Sequence, residues 1–200
     1  PIRNDIRPST PEYRQAACTH FGLDQEKKTI LVIGGSLGAG TLNRCIENFL
    51  PKAGNFPVQI LWQCGKNGIR QAILAKQNYP DADVYPMEFI QRMDQAYNAA
   101  DLVISRAGAG SISELSAAGK ACIFVPSPNV AEDHQTHNAM ALVKEDAGCL
   151  VADHLAFDSL MDQALEMVFN DSRLSVLSEN ILKLSRPHAA AQIAKMVLEL

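Results

Sequence analysis

Two glycine-rich turns offer the clearest chemistry in this chain: Gly34-Gly35-Ser36-Leu37-Gly38-Ala39-Gly40 and Arg106-Ala107-Gly108-Ala109-Gly110-Ser111. Each leaves an apolar run and opens a stretch with helical spacing. The first backbone N–H groups of a helix have no acceptor within it and sit at the positive end of the helix dipole, so such a start suits a phosphate. Glycine lets the ligand approach the backbone closely. Two such turns predict one anionic ligand held between two helix starts.

Other side chains could complete such a site. Glu114 follows Ser111 by three residues and could accept from both hydroxyls of a ribose diol. The same Ser-x-x-Glu spacing also fits a capping box, which needs no ligand. His134-Gln135, at the entry to a later helix, could meet sugar hydroxyls or merely face solvent. Asp81-Ala82-Asp83 has the form of a metal-binding D-x-D but precedes a strand, which places it at the opposite end of a parallel sheet as a surface turn. The cysteines Cys18, Cys45, Cys64, Cys122 and Cys149 lack C-x-x-C or Cys/His metal spacing, so they read as buried free thiols and no metal site is expected.

Common nucleotide motifs do not fit. A dinucleotide fingerprint needs G-x-G-x-x-G and an acidic residue about 20 positions on, at the end of the second strand. Here that strand ends Trp62-Gln63-Cys64-Gly65, without a carboxylate. G-x-x-x-x-G-K-[ST] is also absent. Phosphate binding without a resident cofactor remains.

The elements that must position these residues alternate along the chain. Strands are predicted at 29–34, 58–63, 84–85, 102–105, 121–125 and 149–151, and helices at 11–20, 41–52, 66–77, 93–99, 111–118 and 134–145. Short runs that are apolar throughout, separated by helices, predict an α/β fold with a parallel sheet covered on both faces. The polar connection 126–133 then lies at the carboxyl end of a strand, the edge where open α/β sheets bind ligands. From Phe157 onward the pattern is helical, broken at Pro187.

Two hundred residues, 47% hydrophobic and 20% charged, suffice for one such domain. A net charge of -4 without a Lys/Arg cluster argues against a nucleic-acid partner. No apolar run reaches the roughly 18 residues of a membrane span, so any membrane role is expected to be peripheral. The polar opening from Pro1 reads as a cut within a linker and predicts a preceding partner domain.

In order along the chain stand Ile33-Gly34-Gly35-Ser36-x-Gly38-Ala39, Phe89-Ile90, Ala100 to Ala109 (ADLVISRAGA), Ser113-Glu114-Leu115, and Glu132-Asp133-His134-Gln135-x-x-Asn138-Ala139. This ordered set resembles the C-terminal half of the MurG family of peptidoglycan glycosyltransferases, over essentially the whole chain. Pro1-Ile2-Arg3 resembles the end of that family's interdomain segment. The resemblance implies one half of a GT-B fold, in which two Rossmann-like domains face each other across a cleft. Residues 1–10 would be a linker remnant, 11–186 the UDP-sugar-binding domain, and 187–200 a C-terminal helix packing on the N-terminal domain.

The same resemblance implies the chemistry. The donor substrate would be UDP-N-acetylglucosamine, with no cofactor and no metal required. Ser36, Gly38 and Ala39 would meet the diphosphate, with Arg3 as a charged partner; Phe89 and Ile90 would hold the uracil. Ala109, Gly110 and Ser111 would line the diphosphate and ribose, Glu114 would take the ribose hydroxyls, and His134 and Gln135 would read the sugar. Gly110 and His134 depart from the family, standing where some members carry a larger apolar residue and a second glutamine. The full enzyme would invert at the anomeric carbon, joining N-acetylglucosamine to the C4 hydroxyl of the muramyl sugar of lipid I to give lipid II. The catalytic base and the lipid I surface would belong to the N-terminal domain, so the chain alone is expected to bind donor without transferring it. The protein would be cytoplasmic, peripheral on the inner face of the bacterial inner membrane. Alternatives are another GT-B enzyme, such as a diacylglycerol glycosyltransferase or a UDP-N-acetylglucosamine epimerase, and a non-catalytic nucleotide-sugar-binding module.

Overall fold

Strands that are apolar at successive positions cannot leave either face in water, and here they assemble the middle of a sheet covered on both sides. The computed structural model describes residues 5–186 and 189–198. Its strands are β1 (Lys28–Ile33), β2 (Val58–Gln63), β3 (Val84–Met87), β4 (Leu102–Ser105), β5 (Cys122–Phe124) and β6 (Cys149–Leu150). All neighbouring pairs are parallel, in the order β3-β2-β1-β4-β5-β6. This is the Rossmann order, and it reverses between β1 and β4, where Ile33 and Ser105 lie side by side. Crevices for ligands open at such a reversal, beyond the carboxyl ends of the strands.

The helices are α1 (Pro11–Phe21), α2 (Gly40–Ala53), α3 (Ile69–Gln77), α4 (Met93–Ala99), α5 (Ala109–Ala118), α6 (His134–Lys144), α7 (Asp153–Val168), α8 (Asp171–Lys183) and α9 (Ala189–Leu198). Alternate strand residues point to opposite faces. Ile30, Val32, Ile60, Trp62 and Ile104 pack with α2, α3 and α7 in one core cluster. Leu31, Ile33, Leu61, Val103 and Phe124 pack with α4, α5 and α6 in the other. Ile6, in the segment before α1, is buried in this second cluster, so part of the expected linker is built into the domain. Among the described residues no helix is long and apolar enough to cross a membrane.

Helix starts differ from expectation in several places: the second helix begins at Gly40 rather than Thr41, and the closing helical stretch at Asp153 rather than Phe157. The third helix begins at Ile69 rather than Lys66, because residues 65–68 form a turn in which Gly68 N–H donates to the Gly65 carbonyl (3.0 Å) and Lys66 N–H to the Ser36 carbonyl (2.9 Å). The fifth begins at Ala109 rather than Ser111, with extended Gly108 at its cap position. Pro187, read as a helix break, lies outside the described residues.

Candidate functional site

The first glycine turn, residues 34–39, joins β1 to α2 and rests on the turn after β2. Gly38 has φ +89° and Gly65 φ +74°, and a Cβ on Gly38 would lie 2.2 Å from the Cys64 carbonyl oxygen. Only glycine supplies both the left-handed backbone and the close approach. Behind this contact, the Trp62 indole N–H donates to Asn43 Oδ1 (3.0 Å), and Asn43 Nδ2 donates to the Cys64 carbonyl (3.0 Å). The Gly38 N–H closes a turn on the Gly35 carbonyl (3.2 Å), so the outward amides come chiefly from the opening turn of α2. Ala39, its cap residue, provides no side-chain cap. Ser36 is exposed on this turn.

The second turn joins β4 to α5 and is held from two sides. Gln135 Oε1 accepts from Ala107 N–H (3.2 Å) and Ser127 N–H (2.9 Å), and Asn138 Nδ2 donates to the Ala107 carbonyl (3.2 Å). Residues one turn apart on α6 thus grip both ends of residue 107 and tie the loop after β4 to the loop after β5. On the other side, Arg106 donates to the Val125 carbonyl (2.9 Å), the Pro126 carbonyl (3.1 Å) and Asp153 Oδ1, while Asp153 Oδ2 accepts from Thr41 Oγ1 (3.0 Å). The Arg106 and Asp153 side chains are only 17% and 19% exposed, and the ion pair locks the starts of α2 and α7 to the second turn.

Glu114 lies in the second turn of α5, with its carboxylate accepting from the Tyr97 hydroxyl (3.0 Å). The capping-box reading of Ser111 and Glu114 is overturned, because Gly108 holds the cap position and makes no side-chain cap bond. Ala109 and Gly110 are exposed and Ser111 is half-buried at the helix start; a Cβ on Gly110 would meet nothing within 4 Å, so a larger residue fits there. After β3, Phe89 is 55% exposed beside Ile90, 1% exposed. Nearby, Arg92 clasps Asp94 through two bonds (2.9 and 2.7 Å), and that hydrogen-bonded guanidinium holds the Asp94 carboxyl below its ordinary value.

His134 is exposed and Gln135 half-buried at the start of α6. They follow two non-glycine residues in left-handed conformation, Glu132 (φ 53°) and Asp133 (φ 49°). Such backbone costs of order 1–3 kcal/mol per residue and clusters at ligand sites. Cys45 and Cys64, behind the first turn, are buried, and burial pushes both thiols up to about 11. They are therefore neutral at pH 7 and poor nucleophiles. Among the described residues no group of three or more His, Cys, Asp or Glu gathers to hold a metal. Cys18, Cys45, Cys64 and Cys122 are buried and Cys149 half-buried, all free.

Every described residue singled out from the sequence for a ligand lies in the loops and helix starts at the carboxyl edge of the sheet: Ser36, Gly38, Ala39, Phe89, Ile90, Ala109, Gly110, Ser111, Glu114, His134 and Gln135. Arg3 lies outside the described residues. Asp83 is at the other edge, paired with Lys27 (2.6 Å), as its place before a strand predicts. Sequence reasoning overlooked Asn43, Tyr97, Thr41 and Asp153, and gave Arg106 and Asn138 no part. An asparagine among the apolar positions of α2 was a usable signal for Asn43, and the i, i+3 spacing to Gln135 for Asn138. Asp153 is 112 positions from Thr41 and carried none.

The glycosyltransferase family 28 C-terminal domain matches residues 29–193. The UDP-N-acetylglucosamine–N-acetylmuramyl-(pentapeptide) pyrophosphoryl-undecaprenol N-acetylglucosamine transferase of Parabacteroides distasonis is 48% identical over 200 residues, 100% of this chain and 54% of the relative. Its namesake in Porphyromonas gingivalis is 50% identical over 194 residues, 96% of this chain and 51% of the relative. The chain spans about half the length of the curated relatives it matches. Among solved structures, Acinetobacter baumannii MurG superposes with a TM-score of 0.78 at 28% identity, over 96% of this chain and 54% of that one.

Proposed function

Because this chain belongs to the glycosyltransferase family 28 C-terminal domain family, we propose that it is the donor-binding half of an inverting transferase that moves N-acetylglucosamine from UDP-N-acetylglucosamine to the C4 hydroxyl of the muramyl sugar of lipid I, giving lipid II. One observation carries the reading. The starts of α2 and α5 flank the reversal between β1 and β4 without side-chain caps, and Glu114 stands one turn into α5 with its carboxylate held by Tyr97. A diphosphate between the two helix starts places a ribose within reach of Glu114 and a uracil toward Phe89 and Ile90.

In this reading Ser36 and the amides around Gly38 and Ala39 meet the diphosphate, joined by Arg3, while Ala109, Gly110 and Ser111 complete its other side. Gln135 spends its carbonyl on the two loops, so its amide nitrogen is the end suited to a sugar hydroxyl, with His134 beside it. As the sugar–phosphate bond breaks, negative charge grows on the departing UDP, and preorganised helix amides stabilise it. Losing one such donor costs on the order of 10²–10³ in rate. The acceptor lipid and the base belong to an N-terminal domain of the same protein, and the whole enzyme works from the cytoplasmic membrane face.

Calorimetric titration of the chain with UDP-N-acetylglucosamine, UDP-glucose and NADH, followed by a lipid I conversion assay, tests this proposal. The expected result is saturable binding of the uridine donors, preference for the N-acetylated one, and no lipid II from the chain alone. Binding of NADH in their place, or conversion of lipid I by the chain unaided, overturns it.

A further inference from the structure

We infer that Tyr97 is a positioning residue, which holds Glu114 ready for a ribose diol and thereby sets preference for a ribonucleotide donor. This inference rests on the donor-domain reading above. Glu114 has a flexible side chain, and a carboxylate left to rotate would lose that freedom when ligand binds. Tyr97 removes much of it in advance. Its ring is 2% exposed and belongs to the same core cluster as Ile33, Val103 and Leu115, so the position of its hydroxyl is fixed by the sheet. That hydroxyl donates to Glu114 Oε2 at 3.0 Å, from α4 across to α5. A carboxylate has about four lone-pair positions, and the Tyr97 hydroxyl takes one of them.

The linkage also couples two parts of the site. Helix α4 follows the loop bearing Phe89 and Ile90, and α5 follows the second glycine turn. The Tyr97–Glu114 bond therefore spans the uracil side and the ribose side. A buried tyrosine needs a hydrogen-bond partner in any protein. Here Tyr97 bonds the carboxylate that the donor-domain reading assigns to the ribose, which gives the bond a readout beyond stability.

The test titrates the chain and its Tyr97→Phe and Glu114→Gln variants with uridine 5′-diphosphate and with 2′,3′-dideoxyuridine 5′-diphosphate. The unmodified chain is expected to prefer the ribonucleotide by about a hundred-fold, and Glu114→Gln to lose most of that preference. Tyr97→Phe, which removes one oxygen and leaves the ring packed, is expected to weaken uridine diphosphate about five- to ten-fold while leaving the dideoxy compound unchanged. Binding of the dideoxy compound confirms in the same titration that the variant is folded. Unchanged uridine diphosphate binding in Tyr97→Phe, or equal loss of both compounds, overturns the positioning role while the Glu114 result stands. If the unmodified chain does not distinguish the two nucleotides, the donor reading itself fails at Glu114.

Discussion

Helices α1 and α8 begin at the amino edge of the sheet, and each opens on a side-chain cap: Thr10 accepts from Tyr13 N–H and Asn170 from Arg173 N–H. Helices α2 to α7 begin at the carboxyl edge, and none has one. The amino edge is also closed by charge. Asp101 pairs with Arg14 (3.1 Å) and accepts from Thr29 N–H (2.7 Å), Lys28 pairs with Asp171 (2.6 Å), and Lys120 donates to the Ala100 carbonyl (2.8 Å). Groups satisfied within the protein hold it together, whereas donors left pointing outward wait for a ligand. At the carboxyl edge, charged and amide side chains such as Arg106, Asp153, Gln135 and Asn138 bind loops to one another and leave the helix starts to face the crevice.

The sharpest break in this division comes from Gly38→Ala. At φ +89°, with the new Cβ set against the Cys64 carbonyl, the substitution is expected to cost about 3 kcal/mol or more in a denaturant melt and to abolish donor binding with it. A carboxyl-edge change that touches both stability and binding marks where the ligand cradle is also packed structure. Lys120, at the amino edge, gives the next largest effect. Burial lowers its ammonium from 10.5 to about 8, so between those values the unfolded chain binds the extra proton and stability rises with pH. The charge penalty, about 3 kcal/mol at most, is fully present below pH 8. Lys120→Met should therefore gain on the unmodified chain at pH 7 and lose that advantage by pH 10 in parallel urea titrations, with uridine diphosphate affinity unaltered.

Two smaller changes sharpen the contrast. Gly108→Asp places a cap and a negative charge at the start of α5, where the backbone is extended and a Cβ meets nothing within 4 Å. Thermal stability should rise by a few tenths of a kcal/mol while uridine diphosphate binding falls about ten-fold. Thr10→Ala removes a cap at the amino edge, and its expected cost is about 1 kcal/mol with no change in affinity. Equal effects of these two on binding would dissolve the distinction between the edges.

The division is partly legible in the sequence alone. Val58–Gln63, Met93–Ala99 and Leu102–Ser105 match the expected elements end to end, because continuous apolar runs and a 3.6-residue period survive in any context that buries them. Helix starts were less legible at the carboxyl edge, since α5 opens on extended Gly108 with no polar cap to announce it and α3 waits for the turn at 65–68. Gly38 and Gly65 could be seen as glycines, but their mutual packing through Cys64 is tertiary. The Thr41–Asp153–Arg106 tie joins two helix starts and a loop that are distant in sequence, and the Tyr97–Glu114 bond joins two helices; neither follows a local period.

Amide chemical-shift mapping of the chain with UDP-N-acetylglucosamine tests the division most directly. The account predicts that saturating shifts cluster in residues 34–42, 88–92, 106–114 and 127–138, while residues 24–29, 99–101 and 170–178 stay still. Shifts centred on the amino-edge residues, or none at saturating donor, would contradict it.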